Sequence, residues 1–158
     1  MTLLDKARAS QNVLEGIANA IPGFRGYRDK ELRRDADRLE REHLAGQLAG
    51  SKKALDEASA AATRSGALDS INDIETARKR LDKLIARVRY ADRGYSGFFD
   101  PVKVDDAVLA RVYEFDLGLV DEANAIIASG ADVKAMISRI DSMDAHLSER
   151  EAILSGIK

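Results

Sequence analysis

The chain has no cysteine, and that absence removes disulfides, thiolate nucleophiles and cysteine-ligated zinc from consideration. Histidine occurs twice, at His43 and His146, and neither is spaced from a serine or acid in a recognisable nucleophile arrangement. Tryptophan is missing and proline occurs only at Pro22 and Pro101. No stretch approaches the roughly 18 apolar residues a membrane span requires, and the opening MTLLDKARAS is too interrupted by charge for a signal peptide. A cytoplasmic location is expected. Sustained period-two alternation is also missing, which excludes a sheet and with it any glycine-rich phosphate loop that follows a strand.

What is present suits helices. Hydrophobic residues make up 45% and charged residues 33% of 158, enough for a single domain spanning 1–158 with a sizeable core. Net charge is −2 but unevenly distributed: residues 1–103 hold 20 basic and 16 acidic side chains, residues 104–158 hold 5 and 11. The two parts are expected to attract, which favours docking of the C-terminal helices on the N-terminal ones.

The first predicted helix carries the stripe Leu3, Ala7, Leu14, Ile17 and Ile21, and ends at Pro22 and Gly23. The second is predicted to run from about Arg28 to Ser65, roughly 57 Å, with Gly66 as a left-handed cap. Its stripe shifts from Leu32, Ala36 and Leu39 to Leu44, Leu48, Leu55, Ala58 and Ala62, so the helix changes partner along its length. The simplest geometry sets the first helix against its first half and the third against its second. Ala45, Gly46, Ala49 and Gly50 offer either a close helix approach or a kink. The charged run RDKELRRDADRLERE, 28–42, reads as a solvated face that allows the i, i+4 pair Asp37 with Arg41.

The third predicted helix begins near Asp69 or Ser70, where Ser70 and Asp73 form a capping-box pattern, and buries Ile71, Ile74, Leu81, Leu84, Ile85 and Val88. The fourth follows Pro101, with Asp105 a second candidate cap. Its wide arc, from Val108 and Leu109 through Val112, Phe115, Leu119, Val120, Ala123 and Ile126 to Ile127, predicts the most buried helix. Gly130 ends it, and Asp132 caps a fifth with the stripe Val133, Met136, Ile140, Met143, Leu147 and Leu154. The fold class is all-α: an up-and-down bundle of about five helices built on the long second one.

Two patterns invite chemistry and are outweighed. Glu40 and His43 form a Glu-x-x-His pair, the unit that two helices of a di-iron bundle each supply, but His146 has Met143 where the second glutamate belongs. No metal and no cofactor is expected. On the third helix Lys79, Lys83, Arg87, Arg89 and, beyond it, Arg93 belong to a basic stretch, 78–93, that suits an anionic polymer or membrane surface. The same residues also follow an acidic first turn, as the helix dipole favours, and are available to acidic C-terminal helices.

The aromatics are placed unusually. Of eight, Phe24 and Tyr27 lie in GFRGY, and Tyr95, Phe98 and Phe99 lie in GYSGFF, at the junctions before the second and fourth helices. Alternating helices bring these junctions toward one end of the bundle, although the shorter third helix leaves the second junction roughly 20 Å short. The rings then either plug the open end or, flanked by Arg25, Arg28, Arg93 and Lys103, form a partner-binding patch, the phenylalanines serving as plug and the tyrosines as surface. The expected function is that of a non-enzymatic interaction or scaffolding protein that meets a protein partner through residues 22–28 and 92–103. Phe24, Arg25, Tyr27, Arg28, Tyr95, Phe98 and Phe99 are the candidate contacts. Anion binding along residues 78–93 is the alternative.

Overall fold

The computed structural model describes residues 3–90, 106–130 and 132–154, with the side chains of 3–10 and Lys30 set aside. Six helices follow in order: α1 Leu3–Ala20, α2 Arg33–Gly50, α3 Lys52–Ser65, α4 Leu68–Arg89, α5 Asp106–Ala128 and α6 Val133–Leu154. A 3-10 turn, Lys30–Leu32, precedes α2, and the described residues contain no strand. The protein is an all-α helical bundle.

The long second helix is α2 and α3 end to end. Ser51 between them keeps right-handed helical dihedrals (φ −68°, ψ −17°), and its N–H bonds the Leu48 carbonyl at 3.0 Å, a tightened turn that does not reverse the chain. Helical structure begins at Lys30, two residues later than expected, because Asp29 turns its carboxylate onto the Glu31 N–H at 3.0 Å. Gly66, at φ 71°, closes α3 with the Ala67 N–H on the Ala62 carbonyl and its own N–H on Thr63. These paired bonds end the helix as only a residue comfortable at positive φ allows. They also deliver the chain into α4 at Leu68, so Ala67 is the N-cap and the Ser70–Asp73 box does not form. Asp132 caps α6 by accepting the Ala135 N–H at 3.1 Å.

Helix directions alternate. α4 runs back along both α3 and α2: Lys52 pairs with Asp82, Asp56 with Arg78, and Arg41 donates to the Arg89 carbonyl at 2.6 Å. α4 therefore ends level with Arg41, about 18 Å short of Asp29 along the rod. α5 starts beside the loop before α2, Asp106 lying 3.9 Å from Arg28. α6 returns beside α5 and alongside α4, where Arg80 meets Asp141, and Arg87 meets Asp144 and Glu151. These contacts realise the attraction between the basic N-terminal and acidic C-terminal parts.

Three expectations fail. α1 packs on α5 rather than on the first half of the long helix, because the inward face of α2 there carries Arg33, Asp37, Glu40 and Arg41 and offers no apolar groove to the α1 stripe. The supposedly solvated run 28–42 thus holds four of the seven buried polar or charged residues among those described, and Leu32, assigned to a seam, is 46% exposed. The fourth predicted helix, α5, buries eight of its 23 residues, a larger share than the ten of 32 on the long rod of α2 and α3, whose burial is concentrated in α2. The small-residue approach fails as well: Ala45 is buried, but a Cβ built on Gly46 or Gly50 meets nothing within 4 Å. Gly46 therefore serves no packing purpose. Gly46→Ala is expected to stabilise the fold by about 1 kcal/mol through helix propensity alone, measured as a higher urea midpoint; destabilisation would show that something does dock there.

Candidate functional site

The residues that stand out are charged and buried together, beneath the GFRGY loop. Pro22 and Gly23 break α1, and the Phe24 N–H reaches back to the Ile21 carbonyl at 3.2 Å. Gly26 has φ 86°, and a Cβ there would lie 2.6 Å from the Tyr113 hydroxyl and 3.1 Å from Leu14 Cδ1. Only glycine lets the loop lie this close to α5. The turn directs Phe24 and Tyr27 inward, where the rings meet edge to face at 5.4 Å and Tyr27 stacks on Tyr113 at 5.6 Å. The Tyr27 N–H donates to the Tyr113 hydroxyl at 2.7 Å, and Arg33 Nε donates to the Tyr27 carbonyl at 2.6 Å.

Beyond the ring lies the polar centre. The Tyr27 hydroxyl is 2.7 Å from Asp116 Oδ2 on α5 and 2.9 Å from Glu40 Oε2 on α2. Arg150, from the last turns of α6, donates through Nε to Asp116 Oδ1 at 2.6 Å and through Nη2 to Asp37 Oδ1 at 2.9 Å and Glu40 Oε2 at 3.1 Å. Asp37 Oδ2 accepts from Arg41 Nε at 2.7 Å. Tyr27, Asp37, Glu40, Asp116 and Arg150 are each at most 2% exposed, so these charges interact in a dry interior.

That environment moves their acidities. Burial pushes the Tyr27 phenol well above its ordinary value, with Asp116 and Glu40 adding to the effect, so it stays an O–H donor. Burial likewise pushes the Glu40 carboxyl well up, reinforced by Asp116 and opposed by Arg150. For Arg150 burial favours the neutral form, but Asp116, Tyr27, Asp37 and Glu40 together outweigh it and hold the guanidinium charged. Burial also raises the Tyr113 hydroxyl.

The candidate contacts divide accordingly. Phe24 is 4% exposed and Tyr27 fully buried, which corrects the expectation that the tyrosine ring faces outward: its hydroxyl finds its partners inside, in carboxylates assigned to the surface. Arg25 and Arg28 are exposed. Tyr95, Phe98, Phe99, Arg93 and Lys103 lie outside the described residues. On α4, Lys79, Lys83 and Arg89 are exposed, but Arg87 is occupied by Asp144, Ser148 and Glu151. The Glu-x-x-His pair is split: Glu40 belongs to the cluster, while His43 Nε2 is buried without a partner. Among the described residues no group of three or more histidines, aspartates or glutamates is arranged to hold a metal ion.

A signal for the cluster exists in the pattern. Stepping back from Leu48 and Leu44 by threes and fours lands on Glu40 and Arg41, then Asp37, then Arg33, and the seven-residue gap between Leu147 and Leu154 on α6 is filled by Arg150. Charged residues at core positions on three helices, with balancing signs, mark a buried network.

The chain matches no protein-family model, no curated protein and no solved structure. Among the described residues no helix is long and apolar enough to cross a membrane.

Proposed function

We propose that this is a non-enzymatic helical interaction or scaffolding protein of the cytoplasm, which meets a protein partner with the bundle end formed by residues 22–32 and with residues 92–103. The observation that carries the reading is the way the loop is held. Tyr27 is bonded through its N–H, carbonyl and hydroxyl to Tyr113, Arg33, Asp116 and Glu40, so the backbone that bears Arg25 and Arg28 is fixed before any partner arrives. Preorganisation lowers the ordering cost of binding, and arginine is enriched at interfaces. The contact surface differs from a patch of loop aromatics: Arg25, Arg28 and the 46% exposed Leu32 supply it on this loop, with Phe24 and Tyr27 as the anchors beneath. Tyr95, Phe98 and Phe99, which lie outside the described residues, belong to the same proposal on their sequence pattern alone.

Anion binding along α4 is the second reading, favoured by the exposed Lys79 and Lys83 and weakened by the pairing of Arg80 and Arg87 with α6. Affinity capture from the native host separates the two. The Arg25→Glu/Arg28→Glu variant is expected to recover the partner at least tenfold less than wild type, with an unchanged urea midpoint, while Lys79→Glu/Lys83→Glu recovers it normally. The reverse pattern, with steep loss of binding as salt rises, favours α4. Equal recovery by all three proteins refutes both.

A further inference from the structure

Hydrogen atoms are in short supply at the centre of the cluster. The single Tyr27 hydroxyl proton faces two carboxyl oxygens, Asp116 Oδ2 at 2.7 Å and Glu40 Oε2 at 2.9 Å. The two hydrogens on Arg150 Nη2 face four oxygens: Asp37 Oδ1 at 2.9 Å, Glu40 Oε2 at 3.1 Å, the Tyr27 hydroxyl at 3.2 Å and Asp116 Oδ2 at 3.4 Å. Asp116 has a donor of its own in Arg150 Nε, and Asp37 has one in Arg41 Nε. Glu40 shares every donor it touches, and its other oxygen, Oε1, is buried with no partner at all. An ionised carboxylate in that position leaves a charged oxygen unsolvated in a dry interior. A carboxylic acid supplies the missing hydrogen and leaves only a neutral carbonyl unpaired.

We infer that Glu40 is a carboxylic acid in the folded protein at neutral pH, and that its proton closes a clasp that holds the 22–29 loop, through Tyr27, to α2, α5 and α6. The groups facing it fit this assignment. Arg33, Asp37 and Arg41 come from α2, Tyr113 and Asp116 from α5, Arg150 from α6 and Tyr27 from the loop, and α4 places the Arg89 carbonyl on Arg41. With Glu40 neutral, the two aspartates are still paired by Arg150 and Arg41, while Arg33, the third buried cation, is bonded to the Tyr27 carbonyl and to none of the three carboxyl groups. Burial and the neighbouring charge of Asp116 both raise the Glu40 carboxyl, against the lowering effect of Arg150, in agreement with the hydrogen count. The protonation of Glu40 is independent of any partner.

The consequence is a pH-sensitive loop. The unfolded chain releases this proton near the ordinary glutamate value of about 4.3, whereas the folded chain keeps it to higher pH. Between those two values the native state binds one more proton than the unfolded state. Stability from this group is therefore complete below the unfolded value and falls about tenfold in the folding constant per pH unit as pH rises, until the folded value is passed.

Glu40→Gln tests it, because the amide mimics the neutral acid and cannot ionise. Wild-type and variant folding constants from urea titration are expected to converge below about pH 4 and to separate by about tenfold per pH unit above about pH 5, with the variant the more stable. An infrared difference spectrum at pH 7 should show a carboxylic-acid carbonyl band in wild type that the variant lacks. Hydrogen-exchange protection of the Tyr27 amide should fall with rising pH in wild type and hold in the variant. Parallel pH profiles, or a wild-type protein with no carboxylic-acid band at pH 7, overturn the inference. If the variant does not fold, the wild-type band alone decides.

Discussion

Arg150→Met is expected to destabilise the protein by about 3–5 kcal/mol, the cost of leaving buried charge without its partner. Among the described residues the guanidinium is the one cation that touches all three carboxyl groups, Asp37, Glu40 and Asp116, and it is 2% exposed. Methionine fills much of the same volume, so little of the loss comes from an empty cavity. What remains is Asp116 with only the Tyr27 hydroxyl and Asp37 with only Arg41, both out of reach of water. Against a typical total stability of about 5–15 kcal/mol, that brings a domain close to its unfolding threshold. Equilibrium urea denaturation at neutral pH measures it. Adding Asp116→Asn to Arg150→Met should recover part of the loss, because it removes the stranded charge, although Asp116→Asn alone is destabilising. Single losses that simply add in the double variant, or an Arg150→Met cost below about 1 kcal/mol, would show that the cluster is not a coupled unit.

Much of the bundle is written in local patterns. Gly66 as a left-handed cap, Asp132 as an N-cap and the α4 stripe from Ile74 to Val88 depend on residues a few positions apart, and period and capping chemistry suffice to find them. Helix pairing is less local. α1 finds α5 because Gly16 admits Leu117, with a Cβ at position 16 only 3.2 Å from its Cδ1, while α2 presents charge where an apolar groove was expected. The candidate site was misread for a related reason. Asp37 and Arg41 read as an i, i+4 pair, and they form one at 2.7 Å, but a mixed charged run is ordinarily solvated. Its burial follows only when Asp116 and Arg150, 89 and 123 positions along the chain from Tyr27, are brought to the same place. The register of Leu44 and Leu48 marks these positions as core-facing, but the balancing charges that make their burial tolerable lie on α5 and α6.

Tyr27 joins that network to the loop, and its truncation is expected to be the second large effect. Tyr27→Ala removes a fully buried ring that packs on Phe24 and Tyr113, which by itself costs about 3–5 kcal/mol, and it also removes the hydroxyl that donates into the Asp116 and Glu40 carboxyls. Phe24→Ala removes a buried ring with no hydrogen bond to the cluster and should fall at the lower end of that range. The informative variant is Tyr27→Phe. It keeps the ring, the stacking and both backbone bonds, and loses only the hydroxyl, so it should cost about 1–3 kcal/mol, the penalty for stranding buried acceptors. That loss should be felt first in the loop, whose exposed Arg25 and Arg28 are natural sites for trypsin. Cleavage through local opening rises about tenfold for each 1.4 kcal/mol of loop stability removed. Limited proteolysis under native conditions is therefore expected to cut after Arg25 and Arg28 some tenfold faster in Tyr27→Phe than in wild type, while arginines on the far half of the bundle, such as Arg64, keep their wild-type rates. Uniform acceleration at all these arginines would mean that Tyr27 supports the whole fold without particularly holding the loop. No acceleration would mean that the ring alone pins the loop and the hydroxyl's bonds to Asp116 and Glu40 add nothing to its hold.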